Sequence, residues 1–189
     1  AELIGELATK MRVEGAEGFG TWGLVTRDDG LKYVHFFPRS DKKISGILNV
    51  NLSTNYFGYY ADIARIFTTN KIDESLLEKY NIFNEMNSVL INQLLPNKKI
   101  SELIAIAQEY YKKLGAEIEH ALGRGLGLEL VEPPYLVPGY EYTLSEGNAI
   151  STNPWIKLGN TSFKLVDTII ISEGKQKQVT NAKYEIIKI

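Results

Sequence analysis

The sequence predicts an α+β protein in which helices followed by antiparallel strands occur twice along the chain. Three segments have the apolar spacing or the capping residues of helices. Around them lie runs rich in β-branched and aromatic residues, which end at glycine, asparagine or aspartate. Because the chain has 189 residues, 44% of them hydrophobic, and no low-complexity segment divides it, residues 1–189 are expected to form a single domain.

The first half is predicted to contain one helix and four strands. Apolar residues at helical spacing before Gly15 predict a helix over residues 2–14. Asp28-Asp29-Gly30 is typical of a hairpin turn, and Gly58 is expected near a second turn. The predicted strands are 19–27, 31–37, 44–52 and 56–69.

The second half is predicted to begin with two helices. Asp73 is expected to cap a helix that ends near Leu95, and Ser101 is expected to cap a helix that ends at Gly115. The repeated order of helix before strands predicts an internal pseudo-twofold. The strands expected after the two helices are 117–120, 129–131, 148–152, 163–172 and 178–180.

Composition excludes several classes of function. The formal charge is −2 and the basic residues are scattered, so nucleic acid is not an expected partner. Cysteine is absent, which excludes disulfides and thiolate metal sites. No apolar run approaches the roughly 20 residues of a membrane helix. We therefore expect a cytoplasmic protein that does not enter a membrane.

Asp62 is the acidic residue whose surroundings are most informative. With only two histidines and no cysteine, a metal site would need Asp and Glu oxygens. Strand alternation places Asp62 on the face opposite Ala61 and Ile63, and a buried carboxylate there requires a cation or a guanidinium. The pattern alone favours a structural Asp62, paired with Arg65 or with a backbone amide, over a metal ligand.

Other polar positions also have two interpretations. His35 and His120 fit either partly buried, neutral imidazoles within β structure or catalytic groups. The alternating glycines of 123–127 allow close backbone approach in a turn or bulge and do not form a dinucleotide-binding loop. Glu132 precedes Pro133, which holds it in extended geometry.

Ordered motifs carry a resemblance to a known family over essentially the whole chain. Residues 6–27 are similar to its helix, Gly-Ala turn and first strand, and residues 32–44 look like the segment with its first active-site histidine, matched by His35. Residues 51–67 resemble Asp-x-Gly…Gly-Tyr-x-x-Asp-Ile-x-Arg-x-Phe. Further segments resemble His-Gly-x-Gly-His-x-x-Gly…His-Glu-Pro-Pro (120–134), Glu-Gly-Met…Glu-Pro (147–154) and Arg-x-Glu-Asp-Thr (164–168).

These motifs resemble the creatinase, Xaa-Pro aminopeptidase, prolidase and methionine aminopeptidase family. The resemblance implies the pita-bread fold, a curved antiparallel sheet flanked by helices. It also implies a site for two divalent metals, such as Mn, Co or Zn, held by Asp, Asp, His, Glu and Glu. Those five positions correspond here to Asn51, Asp62, Arg124, Asn153 and Val166.

Only Asp62 keeps the ligand type, so two divalent ions are not expected to bind in the family's way, and no cofactor is expected. The second substrate-handling histidine of the family falls on Val131, whereas His35, His120 and Glu132 match the family's residue types. The ligand positions now hold one carboxylate and one guanidinium. This balance predicts that Arg124 pairs with Asp62 in the space of the metals.

The resemblance therefore implies a catalytically silent homologue whose cleft still binds a peptide or protein segment. The expected cleft residues are His35, Asp62, His120, Arg124 and Glu132. The alternative is a diverged metal-dependent hydrolase acting on dipeptides or amino-terminal Xaa-Pro bonds. It would use one weak metal at Asp62 and Glu132, or Glu132 with His35 as acid and base.

A third alternative is a purely structural role. The chain would then be the dimerising half of a homodimer or of a protein with an amino-terminal domain. The family's first long helix has no counterpart before residues 6–27, so a longer protein or a neighbouring chain is expected to supply that cover.

Overall fold

The computed structural model describes residues 2–26 and 43–189, with side chains described for residues 2–19 and 43–189. The strand predicted at 31–37, the turn at 28–30 and His35 lie outside the described residues. The described elements are α1 (Glu2–Val13), β1 (Gly18–Thr26), β2 (Ile47–Tyr56), β3 (Tyr59–Thr68), α2 (Glu74–Asn92), α3 (Ile100–Lys113), β4 (Gly123–Gly125), β5 (Glu132–Tyr135), β6 (Ala149–Thr152), β7 (Trp155–Leu158), β8 (Thr161–Lys164), β9 (Asp167–Ser172), β10 (Lys175–Gln178) and β11 (Ile187–Lys188).

The described strands form two main sheets and one separate hairpin. The first sheet has the order β1-β2-β3-β11, and the second has the order β10-β9-β6-β4-β5. Strands β7 and β8 pair with each other. Neighbouring strands are antiparallel except for β11, which runs parallel to β3. Helices precede strands in both halves, which confirms the α+β class predicted from the sequence.

The two main sheets meet where β3 lies beside the start of β9. Ala64 N donates to Val166 O at 3.1 Å, and Val166 N donates to Ala64 O at 3.4 Å. Two residues away on each segment, Asp62 N donates to Thr168 Oγ1 at 2.9 Å, and that hydroxyl donates to Asp62 O at 3.0 Å. The backbone of Asp62 is therefore fixed at the junction of the two sheets.

The apolar core lies between the sheets and the pair of helices α2 and α3. Phe83 and Met86 face inward from α2, and Leu103 does so from α3. They belong to the same buried cluster as Ile150 of β6 and Phe163 of β8. Phe83 and Met86 lie three residues apart, which places them on one face of α2. No helix in the described part of the chain is long and apolar enough to cross a bilayer.

Helix boundaries follow the available capping groups. Asp73 is the predicted N-cap of α2, and its Oδ1 accepts from Ser75 N at 3.0 Å and Leu76 N at 3.3 Å. The prediction that Ser101 caps α3 is wrong. The helix begins at Ile100, and Glu102 Oε1 accepts from Lys99 N at 3.2 Å. The Glu102 carboxylate thus satisfies the backbone N–H of Lys99, the residue that directly precedes the helix.

The strands predicted at 117–120 and 129–131 are wrong, and β4 and β5 lie a few residues later. Glycine at 123 and 125 explains the shift, because these strands approach their neighbours too closely for a side chain. A Cβ on Gly125 would lie 2.2 Å from Pro133 O. The pairing of β4 with β5 also shifts register between Arg124 and Gly125, as the predicted bulge requires.

The strand predicted at 163–172 is interrupted at Leu165 and Val166. The chain ends β8 at Lys164 and begins β9 at Asp167. Val166 instead forms an isolated bridge with Ala64 of the first sheet. The sequence shows no break here, because both strands and the bridge between them are buried.

A buried ion pair attaches the carboxyl-terminal segment to the sheet junction. Arg65 Nη2 lies 2.7 Å from Asp167 Oδ1, and both side chains are buried. Asp167 also accepts from Thr180 Oγ1 at 2.6 Å and from Tyr184 OH at 2.9 Å. The Arg65 guanidinium lies 4.4 Å from the centre of the Tyr184 ring. Burial and the neighbouring Asp167 carboxylate raise the pKa of Tyr184 to about 12.

We expect Asp167→Asn to lower the free energy of unfolding by about 3 kcal/mol, because Arg65 would keep its buried charge and lose its counter-charge. Lys98→Met is the matched control, since it breaks the partly exposed pair with Glu102 and should cost about 0.5 kcal/mol or less. Urea unfolding at neutral pH measures both changes. Equal losses in the two variants would contradict this account of Arg65.

Candidate functional site

The Asp62 carboxylate is the centre of a buried polar cluster. Asp62 is 3% exposed, and its Oδ1 accepts from Asn51 Nδ2 at 2.8 Å and from Ser53 Oγ at 2.7 Å. Its Oδ2 accepts from Arg124 Nη2 at 2.8 Å and from Ser151 Oγ at 3.1 Å. With Lys164, described next, these five residues form what we call the Asp62 cluster. Each carboxylate oxygen already accepts two hydrogen bonds.

Lys164 contributes a second cation to the cluster. It is 2% exposed in β8, and its Nζ donates to Asn51 Oδ1 at 2.6 Å. Asn51 therefore bridges the ammonium group and the Asp62 carboxylate. Burial lowers the pKa of Lys164 to about 8, and among the nearby charges Asp62 raises that pKa while Arg124 lowers it.

Strand register explains why these side chains meet. Ser53 lies directly opposite Asp62 in the pairing of β2 with β3, and Asn51 follows on the same face two residues away. In the second sheet, Arg124 of β4 lies opposite Ser151 of β6, so both side chains reach Asp62 Oδ2. The junction of β3 with β9 brings the two halves of the cluster together.

The pairing of Arg124 with Asp62 is present, with 2.8 Å between Arg124 Nη2 and Asp62 Oδ2. The alternative in which Asp62 pairs with Arg65 is wrong, because Arg65 pairs with Asp167. The predicted balance of one carboxylate with one guanidinium is also incomplete. It omitted Lys164, so the Asp62 carboxylate lies among two cations rather than one.

Two polar atoms beside the cluster have no hydrogen-bond partner within the described residues. They are Arg124 Nη1 and Asn153 Oδ1, and both atoms are buried. Asn153 follows β6, and its backbone N donates to Leu122 O at 2.7 Å. Because side chains alternate along a strand, Asn153 projects on the same face as Ser151. Arg124 and Asn153 therefore lie on the same face of the second sheet.

The other residues predicted for the site lie outside the cluster. His120 is exposed, and its ring contacts Trp155 edge to face at 4.7 Å, so it is not a buried imidazole within β structure. Val166 is fully buried at the sheet junction, and Val131 is exposed. Glu132 is partly buried at the start of β5, where its Oε2 accepts from Glu129 N at 3.4 Å.

Sequence reasoning missed Ser53, Ser151 and Lys164. Signals for all three existed in the chain. Ser53 and Ser151 each lie two residues from a matched ligand position, which places them on the same strand face. Lys164 stands at the arginine position of the Arg-x-Glu-Asp-Thr motif, between the apolar residues Phe163 and Leu165. A charged residue in a buried strand signals a buried partner.

The donor atoms of the cluster differ from those that two divalent ions require. Such ions need several carboxylate or imidazole ligands with free lone pairs. Here the matched positions offer one carboxylate, which already accepts four hydrogen bonds, together with two amides, a guanidinium and an alkyl group. Within residues 2–26 and 43–189, no group of three His, Asp or Glu residues could hold a metal ion. The described residues therefore do not fit a two-metal centre.

An exposed apolar surface lies at the tip of the hairpin formed by β2 and β3. We call it the aromatic rim and define it as Tyr56, Phe57, Tyr59 and Leu128, all of them exposed. Gly58 lies against Leu128, since a Cβ there would be 3.7 Å from Leu128 Cδ2. The hairpin is attached to the loop between β4 and β5 by a hydrogen bond from Tyr60 N to Gly127 O at 2.8 Å.

Comparison with known proteins gives consistent matches. The sequence matches metallopeptidase family M24 over residues 1–173. It is 32% identical over 155 residues to the Xaa-Pro dipeptidase of Pyrococcus furiosus, covering 78% of this chain and 44% of that protein. It is 25% identical over 193 residues to the probable dipeptidase PepE of Mycobacterium tuberculosis, covering 100% of this chain and 52% of that protein.

Solved structures show the same fold. The Xaa-Pro dipeptidase from Bacillus anthracis superposes with a TM-score of 0.89 at 26% identity, covering 100% of this chain and 54% of that one. The prolidase from Pyrococcus furiosus superposes with a TM-score of 0.87 at 27% identity, covering 96% of this chain and 55% of that one. These likenesses confirm the pita-bread fold expected from the motifs. The chain spans about half the length of the relatives it matches.

We expect Lys164 to make stability depend on pH. Its pKa is about 8 in the folded chain, against 10.5 for an ordinary lysine. Between these values the unfolded chain binds more protons, so the free energy of unfolding should rise with pH. In Lys164→Met this rise should be absent, whereas the exposed Lys177→Met should keep it. Urea unfolding between pH 7 and pH 10.5 tests this, and parallel curves for wild type and Lys164→Met would contradict it.

Proposed function

The chain belongs to metallopeptidase family M24, and on that basis we propose that it is a catalytically silent member that binds a peptide segment. One observation carries the proposal. Arg124 and Lys164 supply the positive charge around Asp62 from within the chain, Arg124 at a matched metal-ligand position and Lys164 two residues before another.

The state of Asp62 supports catalytic silence. In a two-metal peptidase the metal ions lower the pKa of a bound water and stabilise the developing oxyanion. That role needs ligands with lone pairs available to the ions. Both Asp62 oxygens are directed to protein donors, and Asn51 presents its oxygen to Lys164. Glu132 is not joined to the cluster by a hydrogen bond within the described residues, so it does not take the place of the metals there.

The aromatic rim supports the binding part of the proposal. Phe57 is 75% exposed and has a φ of 48°, a backbone conformation that bulky side chains rarely adopt. Solvent exposure and backbone strain both disfavour phenylalanine at this position, so its side chain points to a role in contacts outside the domain. Tyr56 packs edge to face on Phe57, with 4.6 Å between ring centres. The rim is continuous with the β4–β5 loop, and Arg124 lies in β4.

The relatives define the enzyme alternative. Those with Xaa-Pro dipeptidase in their names indicate which reaction the chain would perform if it were active. Because the chain spans about half of their length, activity and partners of the whole protein remain proposals. A homodimer, an amino-terminal domain and a cytoplasmic location likewise stay predictions.

We expect protein purified without chelator to contain no stoichiometric transition metal, because its donor set does not fit two ions. Titration of manganese, cobalt or zinc into this protein should give no binding heat, and Xaa-Pro dipeptides should not be hydrolysed. Metal analysis, calorimetry and an amine-release assay measure these outcomes.

The Xaa-Pro dipeptidase of Pyrococcus furiosus, prepared and assayed in the same way, is the positive control. Near two ions per chain together with dipeptide hydrolysis would overturn the silent assignment. Metal binding without hydrolysis would overturn the account of the donor set alone.

We expect Phe57→Asn to reduce peptide binding without destabilising the fold. Asparagine tolerates the left-handed backbone conformation better than phenylalanine, so the free energy of unfolding should stay constant or rise. Peptides selected from a random library on wild-type protein provide the probe, and fluorescence anisotropy measures their affinity. Val179→Asn, at an exposed position after β10, is the control and should keep full affinity. If Phe57→Asn bound these peptides as tightly as the wild type does, the rim would not be part of the binding surface.

A further inference from the structure

We propose that the Asp62 cluster recognises the free carboxyl end of a peptide. Arg124 Nη1 would donate to the terminal carboxylate, and Asn153 Oδ1 would accept from the last peptide N–H. This inference deepens the proposed function and rests on it, because two metal ions in the same space would exclude the carboxylate. It also inverts the polarity of the family's site, from one that attracts cations to one that attracts an anion.

Asp62 and Arg124 differ in the hydrogen-bonding capacity that each has left. Asp62 already accepts four hydrogen bonds, two at each oxygen, so it has little capacity for a further donor. Arg124 uses Nη2 for Asp62, and Nη1 has no partner within the described residues. A buried guanidinium N–H without an acceptor costs free energy, and an ionised oxygen is its strongest partner.

The charged side chains of the cluster bear on the charge of its ligand. Two cationic side chains, Arg124 and Lys164, belong to the cluster, whereas its acidic member is Asp62. The other buried carboxylate near the sheet junction, Asp167, is paired with Arg65 and cannot serve the cluster. The open N–H donor therefore belongs to a cation in a poorly solvated site, where a charged ligand interacts more strongly than at the surface. The ligand should be an anion.

Asn153 distinguishes a peptide end from a simple anion. Asn153 Oδ1 is a buried acceptor without a donor, and it projects on the strand face of Ser151, opposite which Arg124 lies. A donor and an acceptor on the same side match a carboxylate that is followed by an N–H group. A peptide terminus carries both groups on one Cα, whereas acetate or an inorganic anion would leave Asn153 unpaired.

Exposure of its members indicates how a ligand enters the cluster. Arg124 is the most exposed member of the cluster, with 12% of its side chain in solvent, while Asp62 and Lys164 are almost fully buried. A ligand therefore reaches the cluster from the Arg124 side, along β4. The loop that follows β4 carries Leu128 of the aromatic rim. A peptide with its carboxylate on Arg124 would thus have apolar surface available for its preceding side chains.

The test uses three small probes titrated calorimetrically into the metal-free chain at pH 7 and constant ionic strength. N-acetylglycine has a carboxylate and an adjacent N–H, acetate has only the carboxylate, and acetamide is the neutral isostere. We expect N-acetylglycine to bind about tenfold more tightly than acetate, by the hydrogen bond to Asn153. Acetamide should give no heat. Chloride at fixed ionic strength should compete only weakly.

Arg124→Met should abolish binding of N-acetylglycine, whereas Lys177→Met, an exposed change of the same type, should leave it unchanged. Arg124→Met also leaves Asp62 without its guanidinium and could unfold the chain. Asn153→Ala is therefore the second variant, because it leaves the hydrogen bonds of Asp62 intact. It removes the acceptor for the last peptide N–H, so N-acetylglycine should bind about tenfold more weakly, with the affinity of acetate.

Several results would overturn the inference. They are an absence of heat with N-acetylglycine, unchanged affinity in folded Arg124→Met, or unchanged affinity in Asn153→Ala. Equal affinity for acetate and N-acetylglycine would overturn the assignment to a peptide end. Failure here is separable from failure of the proposed function, because a chain that binds neither carboxylates nor metal remains silent, whereas a chain that binds metal and hydrolyses dipeptides does not.

Discussion

The structure depends on satisfying one carboxylate at the place where its two sheets join. Asp62 lies on β3, its backbone is bonded to Thr168 of β9, and its side chain accepts hydrogen bonds from β2, β4 and β6. A buried carboxylate without such partners would cost several kcal/mol. The register of five strands is therefore linked to a single charged group, and residues remote in sequence are held within hydrogen-bonding distance.

The same constraint explains how a fold can persist after its metal ligands change. In a two-metal site, cations offset the charge of clustered carboxylates. Here four of the five matched positions have lost their ligand type, and the remaining carboxylate is offset by Arg124 and Lys164. Neutral amides and hydroxyls complete the network. A second buried pair, Arg65 with Asp167, holds the carboxyl-terminal segment on the other side of the junction. Together the two networks pair both buried carboxylates, Asp62 and Asp167, with protein donors.

Part of the site could be predicted from the chain alone. Matching ordered motifs placed Asn51, Asp62 and Arg124 together, and charge balance paired the last two. The same reasoning left out Lys164, because it counted only the matched ligand positions and not the strand between them. It also left out Ser53 and Ser151, although each lies two residues from a matched ligand position, on the same strand face. His120 carried a strong motif signal but lies exposed on Trp155, so residue type did not fix its surroundings.

The sequence by itself determined the family, the α+β class, the three helices and the hairpin of β2 with β3, because these depend on motif order, helical periodicity and local turn residues. Only the tertiary structure decided which cation serves Asp62. Arg65 is three residues away on the same strand, yet Arg124, sixty-two positions later, forms the pair. The positions of short strands such as β4 and β11 likewise depend on the tertiary structure. Their pairing energy comes from distant strands and close backbone approach, and neither leaves a local pattern in the chain.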